Sequence, residues 1–221
     1  MAKRNHGRYS DPLTIDQTVQ GVTAAIENAD QLIDDAKLLL KNGRYARAFS
    51  LAVLAEEETA KVLLLIGSLT TTRRPQGWSK FWKRFRSHNA KYMDALWLDS
   101  ILIENGDELK KYFQDPSKLA HYIDLLKQMA FYTEFDRTNK RFLKPEEIIR
   151  KDFAENVIVM ATGRLNFIKQ FQDREFLLSY ARKLSTIIDQ MLEEDPTILD
   201  NPIVYAEKLL AKLGIDVKGK T

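Results

Sequence analysis

The sequence predicts an all-α fold: an antiparallel bundle of several helices with a helical C-terminal extension. Three observations carry this. Glycine and proline number only 9 and 6 among 221 residues, whereas the strong helix formers Leu, Ala, Lys and Glu are plentiful. Apolar residues recur at alternating spacings of three and four along most of the chain, and no alternation of useful length marks a strand. Helix-start and helix-stop residues punctuate those periodic stretches. With 44% hydrophobic and 29% charged residues, the chain has enough apolar content for one sizeable core.

Residues 1–13 are basic and read as a flexible N-terminus. Residues 14–172 read as the helical domain and 173–221 as its extension. A Thr14-x-x-Gln17 capping box opens the first helix. Its apolar positions Val22, Ile26, Ala29, Ile33, Ala36 and Leu40 face one side, and Asn42-Gly43 stops it. Residues 45–69 form a second helix, apolar nearly all round except for Glu56, Glu57, Glu58 and Lys61, so it should lie centrally and complete an antiparallel hairpin with the first. TTTRRPQG is turn chemistry. A helical stretch follows from Trp78 to Ile103, in one piece or with a break, before Asn105-Gly106. Asp115-Pro116 starts the next helix, to about Phe135. Residues 136–141 read as a loop, and Pro145-Glu146-Glu147 opens a helix to about Gln172. Residues 174–193 repeat the period, and Asn201-Pro202 begins a short final helix ended by Gly214.

Several function classes are excluded. The chain has no cysteine, which removes disulfides, thiolate zinc sites, iron–sulfur clusters and a thiol nucleophile. Its imidazoles are His6, His88 and His121, without an HExxH pair, and no GxGxxG, GxxxxGK[ST] or GxSxG occurs. No metal and no cofactor is expected. The net charge of +3 is too small to imply nucleic-acid binding by itself. The densest apolar run, Val62 to Ile66, is far short of the ~20 residues of a membrane span, and no signal-peptide core follows the N-terminus. A cytoplasmic protein is the expectation.

Chemistry concentrates in two places. In Ala55-Glu56-Glu57-Glu58-Thr59-Ala60-Lys61, the 100° helical step puts Glu58 within the stripe of Leu51, Leu54, Ala55, Val62 and Leu65. A carboxylate on a core face needs a cation, and Arg84, Lys91 and Lys61 are the candidates. Glu57 and Lys61, four apart, read as a surface ion pair. From Arg73 to Lys91 the chain carries seven basic residues, Arg73, Arg74, Lys80, Lys83, Arg84, Arg86 and Lys91, with four aromatics and no acid. As one helix, this places Arg84, His88 and Lys91 on one face beside Phe81, Phe85 and Tyr92. Such a surface suits an anionic ligand such as RNA: His88 moves a proton, Arg84 meets phosphate charge, and the other cations hold the backbone. The same spacing also fits a structural role, with the aromatics in the core and the cations in solvent. His121 has no partner pattern and reads as structural.

These elements resemble the AbiV-like abortive-infection family of the HEPN superfamily, over roughly residues 14–170. Asn42-Gly43-Arg44-Tyr45-Ala46-Arg47-Ala48 leads into Leu54-Ala55 and Glu57-Glu58-Thr59-Ala60-Lys61, similar to the family's A-x-EE-x-x-K helix. Phe85 to Lys91 resembles its F-x-x-H-x-x-K segment, and Lys127 to Tyr132 followed by Pro145-Glu146-Glu147 its K-x-x-x-x-Y then P-x-x-I pattern. The resemblance implies a helical bundle that forms a homodimer, charged residues of the second and third helices gathered near the dimer interface, and a role in defence against phage. It also implies supporting roles for Glu57, Lys61 and Tyr132. Many HEPN domains cut RNA without a metal through an Arg-x(4–6)-His motif; here Lys83 stands five positions before His88, and the nearest arginine, Arg84, stands four before. Two functions are therefore carried forward. One is a defence protein acting on RNA through His88, Arg84, Lys83 and Glu58; the other is a non-catalytic helical protein that senses or inhibits a phage or host protein.

Overall fold

The computed structural model describes residues 10–70, 77–102, 116–198, 205, 208–209 and 211–213. Arg73, Arg74, the Asn105-Gly106 stop, the Asp115 cap, His6 and both ends of the final helix lie outside the described residues.

Helix α1 (Ile15–Lys41) opens on the expected capping box: the Thr14 hydroxyl accepts from the Gln17 backbone amide, and the Gln17 side-chain Oε1 accepts from the Thr14 backbone amide. Asn42 closes it, and Gly43 takes φ 72°, a left-handed turn that glycine enters without a Cβ clash. The chain reverses directly into α2 (Tyr45–Thr70). This helix is the axis of the bundle, lying against α1 and against helices contributed by the rest of the chain. Around α2 run α3 (Gly77–Arg86), α4 (His88–Leu102), α5 (Pro116–Phe131), the short α6 (Pro145–Ile148), α7 (Lys151–Ile168), a 3-10 turn (Lys169–Gln172) and α8 (Arg174–Glu194). The fold is all-α, as the periodicity requires.

One half of the core joins Val22 and Ile26 of α1 to Leu65 of α2, Trp78 and Phe81 of α3, Leu165 of α7 and Leu177 of α8. The other joins Phe49 of α2 to Tyr92 and Leu96 of α4, Ile123 and Leu126 of α5, and Ile158 of α7. The apolar girdle of α2 is thus covered by helices of the same chain, as its central position requires.

The break left open in the stretch from Trp78 falls at Ser87, whose hydroxyl accepts from the Ala90 amide and so acts as the N-cap of a new helix. Two local expectations are corrected. The helix opening at Pro145 stops at Ile148. Ile149 is extended and buried, and Arg150 restarts the chain as α7. Residues 136–141, read as a loop, lie within a hairpin of β1 (Glu134–Asp136) and β2 (Arg141–Leu143), antiparallel with Phe135 opposite Phe142. The Asp136 carboxylate closes its turn by accepting from the Thr138 and Asn139 amides, and Lys140 supplies a left-handed residue at φ 52°.

Glu56 of α2 and Arg164 of α7 form an ion pair at 3.1 Å, both side chains 0% exposed. The guanidinium also lies 5.9 Å from the centre of the Tyr92 ring of α4, so three helices meet at one cation. Breaking a buried pair strands a charge, whereas replacing both partners with apolar groups of similar volume is close to neutral or better. Arg164→Met alone should therefore destabilise by about 3–5 kcal/mol, and adding Glu56→Leu should recover most of that loss. Chemical denaturation of the two variants checks this; a double variant as unstable as the single would contradict it. Among the described residues, no helix is long and apolar enough to cross a membrane.

Candidate functional site

The site is built around Glu57. Its position on α2 places Val53 one turn before and Ala60 one turn after, both buried, so the helical phase turns its carboxylate into the bundle between α4 and α5. Three groups converge there. His88 Nδ1 lies 2.6 Å from Oε2, Lys91 Nζ 2.9 Å from Oε2, and Lys127 Nζ 2.6 Å from Oε1. Lys127 is in turn 2.8 Å from Asp124, one turn back on α5. The Ser87 break makes this possible: it starts α4 at His88, so that His88 and Lys91 stand one turn apart on the new helix and reach the same carboxylate.

The charges are mutually stabilised. Burial pushes the Glu57 carboxyl up, but hydrogen bonds from Lys127 and Lys91, with their charges, hold it below its ordinary value of 4.5. Burial lowers Lys127, and its bonds to Asp124 and Glu57 more than reverse this, holding it above 10.5. Glu57 is thus an acceptor only, so a 2.6 Å contact requires the proton on His88 Nδ1. Lys127 Nζ, 3.5 Å from the same nitrogen, could only donate to a bare Nδ1, and the much shorter contact with an ionised carboxylate decides against that tautomer. In the neutral ring the acceptor is Nε2. The imidazole is 56% exposed, whereas the Glu57 side chain is 4% exposed. A buried carboxylate therefore fixes the orientation and tautomer of a solvent-facing base.

Glu57, His88 and Asp124 place one ligand atom each within 4.8 Å of one another, the spacing of a metal site. The Lys127 ammonium already bonds both carboxylates, so a cation's charge is supplied by the protein. Beside His88 opens a cleft of about 220 Å³, bordered by Leu54, Asp124, Lys127, Gln128, Phe131 and Tyr132.

Several sequence-based placements are corrected. Glu58 is not the core-facing carboxylate: the phase is off by one residue, and Glu58 sits at the edge of α2, bonded to Lys61 at 2.6 Å. Glu57 and Lys61 accordingly do not pair with each other. Arg84 does not share a helical face with His88 and Lys91, because the chain turns between them; it binds Asp94 on α4. Burial raises the Asp94 carboxyl to about 6 despite the Arg84 guanidinium. Lys91 is buried on Glu57 and so is not an exposed phosphate contact. Lys80, Lys83 and Arg86 are exposed along α3, and Arg86 stacks on Trp82. Tyr132 stands at the cleft rim, and His121 is exposed on α5.

Asp124 and Arg164 were not singled out from the sequence, and Lys127 entered only as the lysine of the K-x-x-x-x-Y resemblance, with no role assigned. A signal existed for two of them. Lys127 falls on the buried stripe Ala120, Ile123, Leu126 and Ala130, and Arg164 on the stripe Val157, Ala161, Leu165 and Ile168, and a lone cation on an apolar stripe demands a buried anion.

Fold and site together define a helical protein in which one central helix carries two buried carboxylates, one for structure and one for an oriented histidine. The family model HEPN_AbiV, described as AbiV, matches residues 17–166, and the chain belongs to that family, an abortive-infection group of HEPN type. The matched span contains Glu56, Glu57, His88, Lys91, Lys127 and Arg164. No curated protein and no solved structure matches the chain.

Removing Glu57 leaves the buried Lys91 ammonium uncompensated and Lys127 with Asp124 alone. Glu57→Ala should cost about 3–5 kcal/mol, against less than about 1 kcal/mol for Glu58→Ala. The folded carboxyl titrates below 4.5. Its contribution is therefore present above that value and lost as pH falls through the lower folded value. Thermal melts of parent and Glu57→Gln between neutral and acid pH should converge on acidification; a constant gap, or equal losses in the two alanine variants, would contradict the assignment.

Proposed function

We propose that this protein acts on RNA as a metal-independent endoribonuclease in abortive infection, with His88 as the proton-transferring group and Glu57 as its positioning residue. The single observation that carries the reading is the 2.6 Å bond from His88 Nδ1 to a buried, doubly lysine-anchored carboxylate, beneath an imidazole that remains open to solvent. A purely structural histidine would need no such exposed edge. Nε2 takes the proton of a ribose 2′-hydroxyl as its oxygen attacks the adjacent phosphorus. The P–O5′ bond breaks, the leaving oxygen is protonated from solvent, and the products are a 2′,3′-cyclic phosphate and a 5′-hydroxyl. The exposed cations Lys80, Lys83, Arg84 and Arg86 hold the phosphodiester backbone and offset charge on the phosphate. The sequence-based role of Glu58 passes to its neighbour Glu57, whose carboxylate is the one that reaches His88.

Total RNA incubated with the protein in EDTA tests this. Fragments ending in cyclic phosphate should appear. His88→Ala should slow their formation by about 10²–10⁴-fold, and Glu57→Gln by about 10–100-fold through loss of orientation. Intact RNA after prolonged incubation, or cleavage unchanged in His88→Ala, would overturn the proposal.

A further inference from the structure

The cleft beside His88 has an unusual wall. Phe131 ends α5 and Tyr132 follows it, with ring centroids 6.4 Å apart, and further along the sequence Phe135 and Phe142 make an edge-to-face pair at 5.2 Å across the hairpin. All four rings are exposed, Tyr132 by 66% and Phe142 by 69%. Four large aromatics open to water within twelve residues of sequence are far more than scattered surface apolar residues explain. They adjoin groups of a different kind. Asp124 and Gln128 face the same cleft, joined by a 3.1 Å hydrogen bond, and His88 and Lys127 border it too.

Resting on the reading of RNA as the ligand, we infer that this cleft takes one unpaired nucleobase, stacked on Tyr132 and Phe131, with Asp124 and Gln128 at its polar edge and the adjoining phosphate beside His88. The volume of about 220 Å³ suits a single flat base and not a stacked pair. Aromatic faces accept any base, so stacking supplies affinity with little sequence preference. A carboxylate and a carboxamide together offer acceptors and donors to a base edge. The division of chemistry suits one nucleotide: His88 serves the phosphate, and the rings serve the base. A base inside a duplex cannot reach the rings without leaving its stack, so the site selects single-stranded RNA, loops and bulges.

The probe is a short fluorescent 2′-O-methyl oligoribonucleotide, which lacks the attacking hydroxyl and survives the measurement, presented single-stranded or annealed to its complement. The parent should bind the single strand more tightly than the duplex. Tyr132→Ala, at a position exposed enough to leave folding intact, should weaken the single strand by about tenfold or more and leave duplex binding unchanged, whereas Tyr132→Trp should retain affinity. Equal affinity for both forms, or no change in Tyr132→Ala while parent and variant still cut RNA equally, would overturn this inference and leave the ribonuclease reading standing. Stacking-dependent binding with no cleavage of natural RNA would do the reverse. No binding and no cleavage by the parent would overturn both. Loss of self-association in Tyr132→Ala with RNA binding unaltered would overturn the inference by assigning the rings to a second copy of the chain.

Discussion

A carboxylate taken out of water is costly unless the protein replaces what water supplied, and the arrangement around Glu57 follows from meeting that cost. Two ammonium groups and an imidazole N–H bond its two oxygens, so each oxygen meets at least one donor. Meeting it demands that α4 and α5 present Lys91 and Lys127 at the same depth. The N-cap at Ser87 is then a requirement and not an irregularity: a continuous helix would carry His88 and Lys91 forward on the phase of α3. The break sets a new phase, and the new phase brings both side chains to α2.

The adjacent carboxylate gives α2 a second function. Successive residues of a helix point about 100° apart, so Glu56 and Glu57 face different neighbours. Glu56 reaches Arg164 of α7, which in turn lies against Tyr92; Glu57 reaches Lys91, the residue before Tyr92. The same two helices are therefore registered twice, once in the dry interior and once at the site. A buried ion pair contributes little net stability compared with an apolar pair of similar shape, and its value here is that it admits one register of α2 against α4 and α7. That register holds His88 in place.

Much of this was legible in the sequence. The capping box at Thr14, the Asn42-Gly43 stop and the apolar girdle of α2 specify the α1–α2 hairpin by local chemistry alone. Less was legible where a tertiary contact decides between neighbours. Glu56, Glu57 and Glu58 are consecutive, a phase uncertainty of one residue exchanges their surroundings, and the acidic run says nothing about which cation lies opposite. Lys127 and Arg164 are single cations on apolar stripes, a pattern that signals a buried partner without naming it. The division at Ser87 was written in a good N-cap residue, but a cap within a continuous helical period competes with the period itself. The hairpin around Phe135 and Phe142 is too short to produce a strand alternation and exists through an aspartate turn.

The central claim is that Glu57 fixes the tautomer of an exposed imidazole. Nitrogen-15 NMR of the His88 ring in its neutral form tests it most directly, because the two nitrogens report separately which carries the proton. The account predicts a proton on Nδ1 and a bare Nε2. A proton on Nε2 would contradict it, since a deprotonated Nδ1 cannot lie 2.6 Å from an ionised carboxylate.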